Sequence, residues 1–256
     1  MNVLTAVCTD IGTKKDTHQD SLCVKVAETD LGKVVMAVIC DGMGGLAKGE
    51  IASASVVEAF SRWYDNELPL QLQNYKPDEI RARWEEIIQD MNLRIAEYGK
   101  SIGVQLGTTL SVLLLIDNKA LFIGHVGDSR VYEIDDREAK VLTTDQTVVA
   151  NEVRLGRMTP EQAAVDPRRS VLLQCIGASR VVNPDYLMGT PAEGKVYMLC
   201  SDGFRHLVTP AEIASMFAPR NLVDEADMEE RITALIEENK KRGETDNITA
   251  LLLKLE

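Results

Sequence analysis

Apolar residues recur in nine short segments of the chain that have the character of β-strands. Each segment is rich in Val, Ile, Leu or aromatic residues and is bounded by polar turn residues, which predicts strands. The segments are NVLTAVCT (2–9), SLCVKVAE (21–28), GKVVMAVIC (32–40), TTLSVLLLID (108–117), ALFIGHVGD (120–128), RVYEID (130–135), KVLTTD (140–145), KVYMLC (195–200) and NITALLLKLE (247–256). The turns between residues 108 and 145 are too short for parallel crossovers, so this part predicts an antiparallel meander.

Apolar residues at helical spacing, together with capping and charge signals, predict helices between these strands. The helical segments are 48–65, a helix that starts near Pro77, parts of the polar region 145–170, 209–218 and 224–242. The helix from Pro77 has the clearest apolar face, formed by Ile80, Trp84, Ile87, Met91 and Ile95. This order of elements predicts an α+β fold with strands in two antiparallel layers and helices outside them.

Composition and net charge limit the functions that this protein could have. The chain has 256 residues, of which 45% are hydrophobic and 27% charged, as expected for a folded globular protein. No linker or repeat interrupts it, so we expect one domain over residues 1–256. The net charge of -12 opposes binding to phosphate backbones, which predicts no nucleic-acid partner.

Targeting signals and cysteine usage predict the compartment. The start MNVLTAVCTD lacks the pattern of a signal peptide, and apolar runs such as VLLLI (112–116) are too short to span a bilayer. We therefore expect a cytoplasmic protein that does not enter membranes. The five cysteines include no C-x-x-C pair and are interpreted as reduced core residues, and the three histidines lack zinc-site spacing.

The stretch VVMAVICDGMGG (34–45) allows three interpretations. Asp41-Gly42 could be a turn that ends a strand, because Asp-Gly is a common turn dipeptide. Gly42, Gly44 and Ala47 also fit a dinucleotide-binding loop, although Asp41 would then face the pyrophosphate and no second strand ending in an acid follows about 20 residues on. The third interpretation makes Asp41 a metal ligand, with glycines that let a substrate approach.

Five aspartates stand at the beginnings or ends of predicted strands, which favours the third interpretation. They are Asp20, Asp41, Asp128, Asp202 and Asp246. Crowded carboxylates repel one another, so their convergence would be costly without cations. Mg²⁺ and Mn²⁺ prefer such oxygen ligands and would let an acidic protein accept an anionic substrate.

Six ordered motifs give the chain a strong family resemblance. They are THQD (17–20), DGMGG (41–45), GTT (107–109), HVGDSR (125–130), SDGF (201–204) and TDNIT (245–249). In order and spacing, and over nearly the whole chain, this set resembles the metal-dependent protein phosphatases called PP2C. The resemblance implies a four-layer α/β/β/α sandwich, a dinuclear Mn²⁺ or Mg²⁺ centre, and hydrolysis of phosphoserine and phosphothreonine in proteins.

The resemblance also implies roles for the aspartates. Asp41 would bridge two cations, and the carbonyl of Gly42 would be a further ligand of one of them. Asp202 and Asp246 would hold the other cation, whereas Asp20 would act mainly through metal-bound water. Asp128, with Asp202, would bind a third, weaker cation. Two cations lower the pKa of a bridging water and supply a hydroxide that attacks phosphorus.

Several positions depart from the usual pattern of the family. Lys15 stands where an arginine commonly grips the substrate phosphate, and we expect Lys15 to take that role. His18 replaces a common asparagine and is interpreted as a solvated loop residue. Met43 replaces a histidine proposed as general acid in many eukaryotic members, and TTDQT (143–147) replaces a more usual Asp-His-Ser/Thr. His125 is interpreted as a hydrogen-bonded strand residue.

Two other classes of protein compete with a metal-dependent phosphatase. A cysteine phosphatase needs Cys and Arg separated by five residues, but Cys175 to Arg180 and Cys200 to Arg205 each enclose four. A weakly active or inactive phosphatase-fold module that binds a phosphoprotein or kinase stays open. For an active enzyme we expect a monomer that acts on a Ser/Thr kinase and its phosphorylated targets, with residues 145–170 as a flap that influences substrate choice.

Overall fold

The computed structural model of the protein describes residues 1–43 and 48–256, which form ten β-strands and eight α-helices. The strands are β1 (Val3–Asp10), β2 (Asp20–Thr29), β3 (Gly32–Asp41), β4 (Leu110–Ile116), β5 (Ala120–Val126), β6 (Arg130–Ile134), β7 (Ala139–Val141), β8 (Asp185–Gly189), β9 (Val196–Cys200) and β10 (Ile248–Leu255). The helices are α1 (Gly49–Asn66), α2 (Leu68–Gln73), α3 (Pro77–Ile102), α4 (Val148–Arg154), α5 (Pro160–Val165), α6 (Asp202–Arg205), α7 (Pro210–Phe217) and α8 (Glu225–Lys241). Gly44, Gly45 and Ala47, which figured in the interpretations of the glycine-rich loop, lie outside the described residues.

The strands form two five-stranded antiparallel sheets. One sheet has the order β1-β10-β9-β6-β7, and the other has the order β2-β3-β4-β5-β8. Three apolar layers separate the four layers of structure: one between the sheets, one under α1 and α3, and one under α7 and α8. The predicted sandwich of two sheets between helices is therefore confirmed.

The alternation of side chains along β3 explains how this strand joins two of the apolar layers. Val34, Met36 and Val38 pack with the helices, whereas Val35 and Ala37 pack between the sheets. Because successive side chains of a strand point to opposite faces, a strand buried on both faces must be apolar throughout. Asp41, at its end, is the first charged residue after Lys33.

Helix α3 buries the apolar face that its sequence pattern predicts. Its buried residues include Ile80, Trp84, Ile87, Met91 and Ile95. Trp84 contacts the rings of Phe60, Trp63 and Phe122 edge-on, with centroids 5.6 to 6.3 Å apart. These contacts fix α1 and α3 on the sheet that ends in Asp41.

The predicted meander over residues 108–145 is wrong at its centre. β4 pairs with β5, but β6 pairs with β9 and β7 in the other sheet. The chain crosses between the sheets at Gly127, whose φ of 106° lies in the region that glycine adopts readily. Short turns made a continuous meander plausible, but a sheet crossing also needs only a few residues.

Other local differences concern short elements. α2 and β8 lacked a clear pattern in the sequence, and β7 is shorter than the predicted strand. In the polar region 145–170, α5 starts with the expected Thr159-Pro160 pair, and Thr159 forms a capping box with Gln162. None of the helices in residues 1–43 and 48–256 has the length and apolar character needed to cross a bilayer.

Candidate metal centre

Strand pairing places the first two candidate aspartates opposite each other. Asp20 at the start of β2 pairs with Asp41 at the end of β3. The backbone of Asp41 is fixed from the other side, because its N–H donates to Thr109 Oγ1 (2.9 Å) and its carbonyl accepts from the N–H of Thr109 (2.9 Å). Opposed residues of an antiparallel pair have Cβ atoms roughly 5 Å apart, so these carboxylates are neighbours.

The backbone at Gly42 leaves no room for a side chain. A Cβ at this position would lie 2.4 Å from the carbonyl oxygen of Gly49 and 2.6 Å from that of Gln19. The N–H of Gly42 donates to the carbonyl of Gln19 (3.1 Å). A glycine is therefore required where the chain turns away from Asp41 towards α1.

Asp202 and Asp246 meet where β9 ends and β10 begins. Asp202 is the first residue of α6, and Gly203 packs so closely that a Cβ would lie 2.2 Å from the carbonyl oxygen of Asn247. Asn247 also anchors the loop before β2, since its side-chain oxygen accepts from the N–H of Gln19 (2.8 Å). Packing thus joins segments that are far apart in sequence.

Asp128 lies at the crossing between the sheets and beside Arg205, whose side chain is 11% exposed. Its backbone carbonyl accepts from Arg205 Nη2 (2.9 Å), and its Oδ2 lies 3.7 Å from the same nitrogen. Arg205 also pairs with Asp145 (3.2 Å), which forms a bidentate ion pair with Arg130. Arg205 therefore connects Asp128 to the start of the 145–170 region.

The crowding of these carboxylates changes their ionisation. Burial raises the pKa of Asp41 well above its ordinary value, and the charges of Asp20, Asp202, Asp128 and Asp246 raise it further. Burial, reinforced by the charges of Asp202 and Asp246, also raises the pKa of Asp20 to about 7. For Asp128, burial and Asp202 raise the pKa to about 7 in spite of Arg205. The five aspartates thus form one interacting cluster.

The cluster suits a hard divalent cation. Asp20 Oδ1 is buried and has no hydrogen-bond partner among the described residues. A buried carboxylate oxygen without a partner is destabilising, and a bound cation would compensate it. All the candidate side-chain ligands are carboxylates, the donor type that Mg²⁺ and Mn²⁺ prefer. As they stand, no three acidic, histidine or cysteine side chains of residues 1–43 and 48–256 converge tightly enough to hold an ion.

Lys15 reaches into the acidic cluster from the loop that precedes β2. Its Nζ lies 2.7 Å from Asp246 Oδ1. Burial lowers the pKa of Lys15, but the hydrogen bond to Asp246 and the charges of Asp41 and Asp202 outweigh it, so the pKa is raised. The ammonium group is thus held charged beside Asp246, within the acidic cluster.

Two residues that support the cluster, His206 and Glu244, were not predicted from the sequence. His206 bridges Asp202 Oδ2 and Glu244 Oε2 at 3.3 Å each, and Glu244 Oε1 accepts from the N–H groups of Thr245 and Asp246. Asp202 and His206 are four residues apart, a spacing that brings side chains together only because residues from Asp202 form the short helix α6, which the sequence did not predict. The contribution of Glu244 had no local signal, because it depends on how β10 is packed.

The other candidate residues have clear positions. His125 is buried, with Nδ1 3.0 Å from Ser111 Oγ and Nε2 3.2 Å from the carbonyl of Thr144, which confirms a hydrogen-bonded strand residue. His18 is only half-buried, but Nε2 lies 2.6 Å from Thr9 Oγ1, so it is not simply a solvated side chain. Burial raises the pKa of Cys200 to about 12 and also raises that of Cys175, so neither thiol is an activated nucleophile.

The chain is similar in sequence to known protein phosphatases. A family model described as Protein phosphatase 2C matches residues 13–252. Protein phosphatase PhpP of Streptococcus pneumoniae is 28% identical over 252 residues, which cover 98% of this chain and 96% of PhpP.

Solved structures are similar over the whole chain. The serine/threonine phosphatase of S. agalactiae has a TM-score of 0.85 and 30% identity, with 100% of both chains covered. The catalytic domain of the phosphatase PstP, solved in complex with two manganese ions, has a TM-score of 0.79 and 27% identity, with 99% of both chains covered. With its cluster of aspartates at the sheet ends and this match in sequence and fold, the chain belongs to the protein phosphatase 2C family of metal-dependent protein serine/threonine phosphatases.

Proposed function

We propose that this protein removes phosphate from phosphoserine and phosphothreonine with the aid of two Mn²⁺ or Mg²⁺ ions held by the aspartate cluster. The observation that carries the proposal is the crowding of carboxylates that act on one another, with one buried Asp20 oxygen that has no hydrogen-bond partner among the described residues. A packed set of acids whose charges are only partly offset by Lys15, Arg205 and His206 is costly unless the site serves to hold cations. The alternative of an inactive module has no comparable support.

The ligand roles follow the placement of the aspartates. Asp41 is central, since the charges of the four other aspartates all act on it, and we assign it to both cations, with the carbonyl of Gly42 as a further ligand of one. Asp202 and Asp246 meet across the α6–β10 contact and would hold the other cation. Asp20 would act mainly through bound water. Asp128, at the margin of the cluster, would share a third, weaker site with Asp202.

The cations and the protein residues would contribute differently to the reaction. Bound divalent cations supply Lewis acidity towards water and towards phosphoryl oxygens. The protein fixes the ligands, because Thr109 holds both the N–H and the carbonyl of Asp41 and Asn247 ties the loop before β2 to the start of β10. Gly42 keeps the backbone free of a Cβ where the chain passes the cluster. Preorganisation of this kind lets the site stabilise developing charge without rearrangement.

We assign Lys15 to the phosphate of the substrate. Its flexible stem carries the charge to 2.7 Å from Asp246 Oδ1, within the acidic cluster. A positive charge there offsets part of the repulsion between an anionic substrate and an acidic protein. Lysine contributes one compact charge and not the planar fork of arginine, so we expect a looser grip on the phosphate.

Residues 145–170 are proposed to form a flap, within a single catalytic domain of residues 1–256, that influences the choice of phosphoprotein. A cavity of about 760 Å³ supports this role, since it lies between this segment and the residues that adjoin the aspartate cluster. Its apolar side includes Val149, Val153 and Ala163, and its polar end includes His206 and Glu244. A polypeptide that placed its phosphorylated residue over the cluster could extend into this cavity.

Partners and location follow from the same proposal. We infer phosphoprotein substrates that include a Ser/Thr kinase and its targets, and we infer that the enzyme acts as a monomer in the cytoplasm. The five free cysteines, three of them buried, fit a reducing compartment. Phosphoproteomics after deletion of the gene would identify the targets.

The test is a phosphatase assay with a phosphothreonine peptide. Activity is expected with Mn²⁺ or Mg²⁺ and should vanish in EDTA, and Asp41→Asn or Asp202→Asn should lower kcat/KM by several orders of magnitude. Asp30→Asn, which changes an exposed turn residue, is the control for loss of a carboxylate. Full activity in EDTA would refute the metal-dependent mechanism, and phosphopeptide binding without hydrolysis would favour the inactive module.

A further inference from the structure

The two carboxylate oxygens of Asp20 lie in different surroundings. Oδ2 accepts a hydrogen bond from Thr249 Oγ1 (2.6 Å). Oδ1 is buried and has no hydrogen-bond partner among the described residues. One oxygen is therefore committed to the protein, and the other is left for the acidic cluster.

The hydrogen bond to Oδ2 is the inner end of a longer series. Thr249 Oγ1 lies 2.8 Å from Thr9 Oγ1, its register partner across β1 and β10. Thr9 Oγ1 in turn lies 2.6 Å from His18 Nε2. We call the series His18, Thr9, Thr249 and Asp20 the Asp20 relay.

The relay connects the two sheets. Thr9 and Thr249 belong to the sheet that contains β1 and β10, whereas Asp20 begins β2 in the other sheet. His18 precedes Asp20 by two residues, so both ends of the relay belong to one short segment. The hydroxyl groups of one sheet thus hold this segment, and with it the start of β2, in a fixed orientation.

Counting hydrogens gives the relay a direction. Each threonine hydroxyl has one proton, and that of Thr249 is donated to Asp20. The contact of 2.8 Å between the two hydroxyls then uses the proton of Thr9, so Thr9 can only accept at the contact with His18. With Asp20 as a carboxylate, His18 Nε2–H is the first donor, and every hydrogen bond points towards Asp20.

We propose that His18 is a positioning residue that acts through Thr9 and Thr249. It keeps Asp20 Oδ2 in its hydrogen bond with Thr249, and this leaves Oδ1 directed to the metal centre. The inference rests on the proposed role of Asp20 at that centre and adds a residue to it. Ligands, and groups that hold bound waters, are oriented by outer partners whose loss typically weakens metal binding about 10- to 100-fold. Because His18 is half-buried and two hydroxyls away, we expect its own effect to be smaller.

The experiment measures Mn²⁺ affinity of the full chain by calorimetry after removal of bound metal with chelator. Thr249→Val keeps the shape of the side chain without the hydroxyl and should weaken Mn²⁺ binding roughly tenfold. Thr249→Ser restores the hydroxyl and should recover most of the affinity. Thr5→Val, which removes a hydroxyl elsewhere on β1, is the matched control and should bind Mn²⁺ as the unmodified protein does.

His18 is tested in the same way and then in combination. His18→Leu should weaken Mn²⁺ binding about threefold, a size that fits the loss of one hydrogen bond, and His18→Gln, which keeps an N–H donor, should recover part of it. The double variant with Thr249→Val should be no weaker than Thr249→Val alone, because residues that act in series are not additive. Thermal unfolding in EDTA checks that each variant is folded.

Three outcomes would overturn the relay. These are unchanged affinity in His18→Leu, full additivity in the double variant, and no recovery with Thr249→Ser. Thr9→Val and Thr9→Ser repeat the test if a change at Thr249 prevents folding. Failure of the unmodified protein to bind Mn²⁺ or hydrolyse a phosphopeptide would instead count against the proposed function, so the two failures are distinguishable.

Discussion

Replacing Lys15 with methionine should move metal affinity and substrate affinity in opposite directions. Lys15 Nζ forms an ion pair with Asp246 Oδ1 at 2.7 Å, and the two side chains are 28% and 37% exposed. Methionine keeps an unbranched apolar stem but carries no charge. The variant therefore removes the ion pair and the phosphate contact together, with little change in packing.

The gain in metal affinity can be bounded from the exposure of the ion pair. Pairs that solvent reaches are worth about 0.2 to 1 kcal/mol, and a cation bound by Asp246 has to displace or share this partner. The nearby charges of Asp41 and Asp202 also attract the ammonium group, which favours the upper part of that range. Mn²⁺ should consequently bind Lys15→Met about two- to fivefold more tightly.

The loss on the substrate side should be larger. A charge-assisted hydrogen bond to a phosphoryl oxygen is worth about 1 to 3 kcal/mol, which corresponds to a rise in KM of roughly fivefold to a hundredfold. Lys15→Arg should keep or improve kcat/KM on phosphopeptides, because a guanidinium can hold two oxygens at once.

Calorimetry with Mn²⁺ and steady-state kinetics on a phosphothreonine peptide measure the two effects separately. Lys14→Met is the internal control, since Lys14 has no ion pair with the described residues and should leave both quantities unchanged. Weaker Mn²⁺ binding in Lys15→Met would refute the competition with Asp246. If Lys14→Met raises KM and Lys15→Met does not, Lys14 and not Lys15 contacts the phosphate. If neither variant changes KM, the cations alone bind the phosphate.

Three further predictions concern the margin of the site. Asp128→Ala should lower turnover but still bind two Mn²⁺ ions in a titration, because Asp128 lies at the edge of the cluster. Loss of all Mn²⁺ binding would identify Asp128 as a primary ligand. An unchanged rate would identify it as a turn residue without a role in catalysis. Burial raises the pKa of Asp145, but Arg130 and Arg205 outweigh it and the pKa is lowered, so its stabilising effect is present above about pH 4 and is lost as pH falls through the folded pKa. Asp145→Asn should therefore destabilise the protein by about 3 kcal/mol at pH 7 in urea unfolding, and a difference from the unmodified protein that persists undiminished at pH 2 would contradict this. Ala163→Glu, in the wall of the flap cavity, should raise KM for phosphopeptides but not for p-nitrophenyl phosphate, and equal effects on both substrates would count against the flap proposal.

Much of the fold could be predicted from the sequence because local patterns of apolar residues indicate the strands and helices that form its layers. The continuous apolar run of β3 and the apolar face of α3 each depend on residues close together in the chain. The positions of Asp20, Asp41, Asp202 and Asp246 at strand ends were predictable for the same reason. A strand end is a local property, and an aspartate there is visible as soon as the strand is.

Sheet membership and the supporting contacts were not predictable in this way. Gly127 could have served a hairpin as easily as a crossing between sheets, and only the pairing of β6 with β9 decides between them. The contacts of Glu244 with His206, and of Lys15 with Asp246, likewise depend on how distant segments pack.

The relay from His18 to Asp20 illustrates the same division. The sequence determined that His18 precedes Asp20 by two residues in a polar loop, which is compatible with a solvated side chain. The tertiary structure brought β1 beside β10, and this pairing alone sets Thr9 against Thr249 and connects His18 to the carboxylate. Local preferences act over a few residues, whereas a hydrogen-bond series across two sheets exists only after the chain has folded, because Thr249 is separated from Thr9 and Asp20 by more than two hundred residues of sequence.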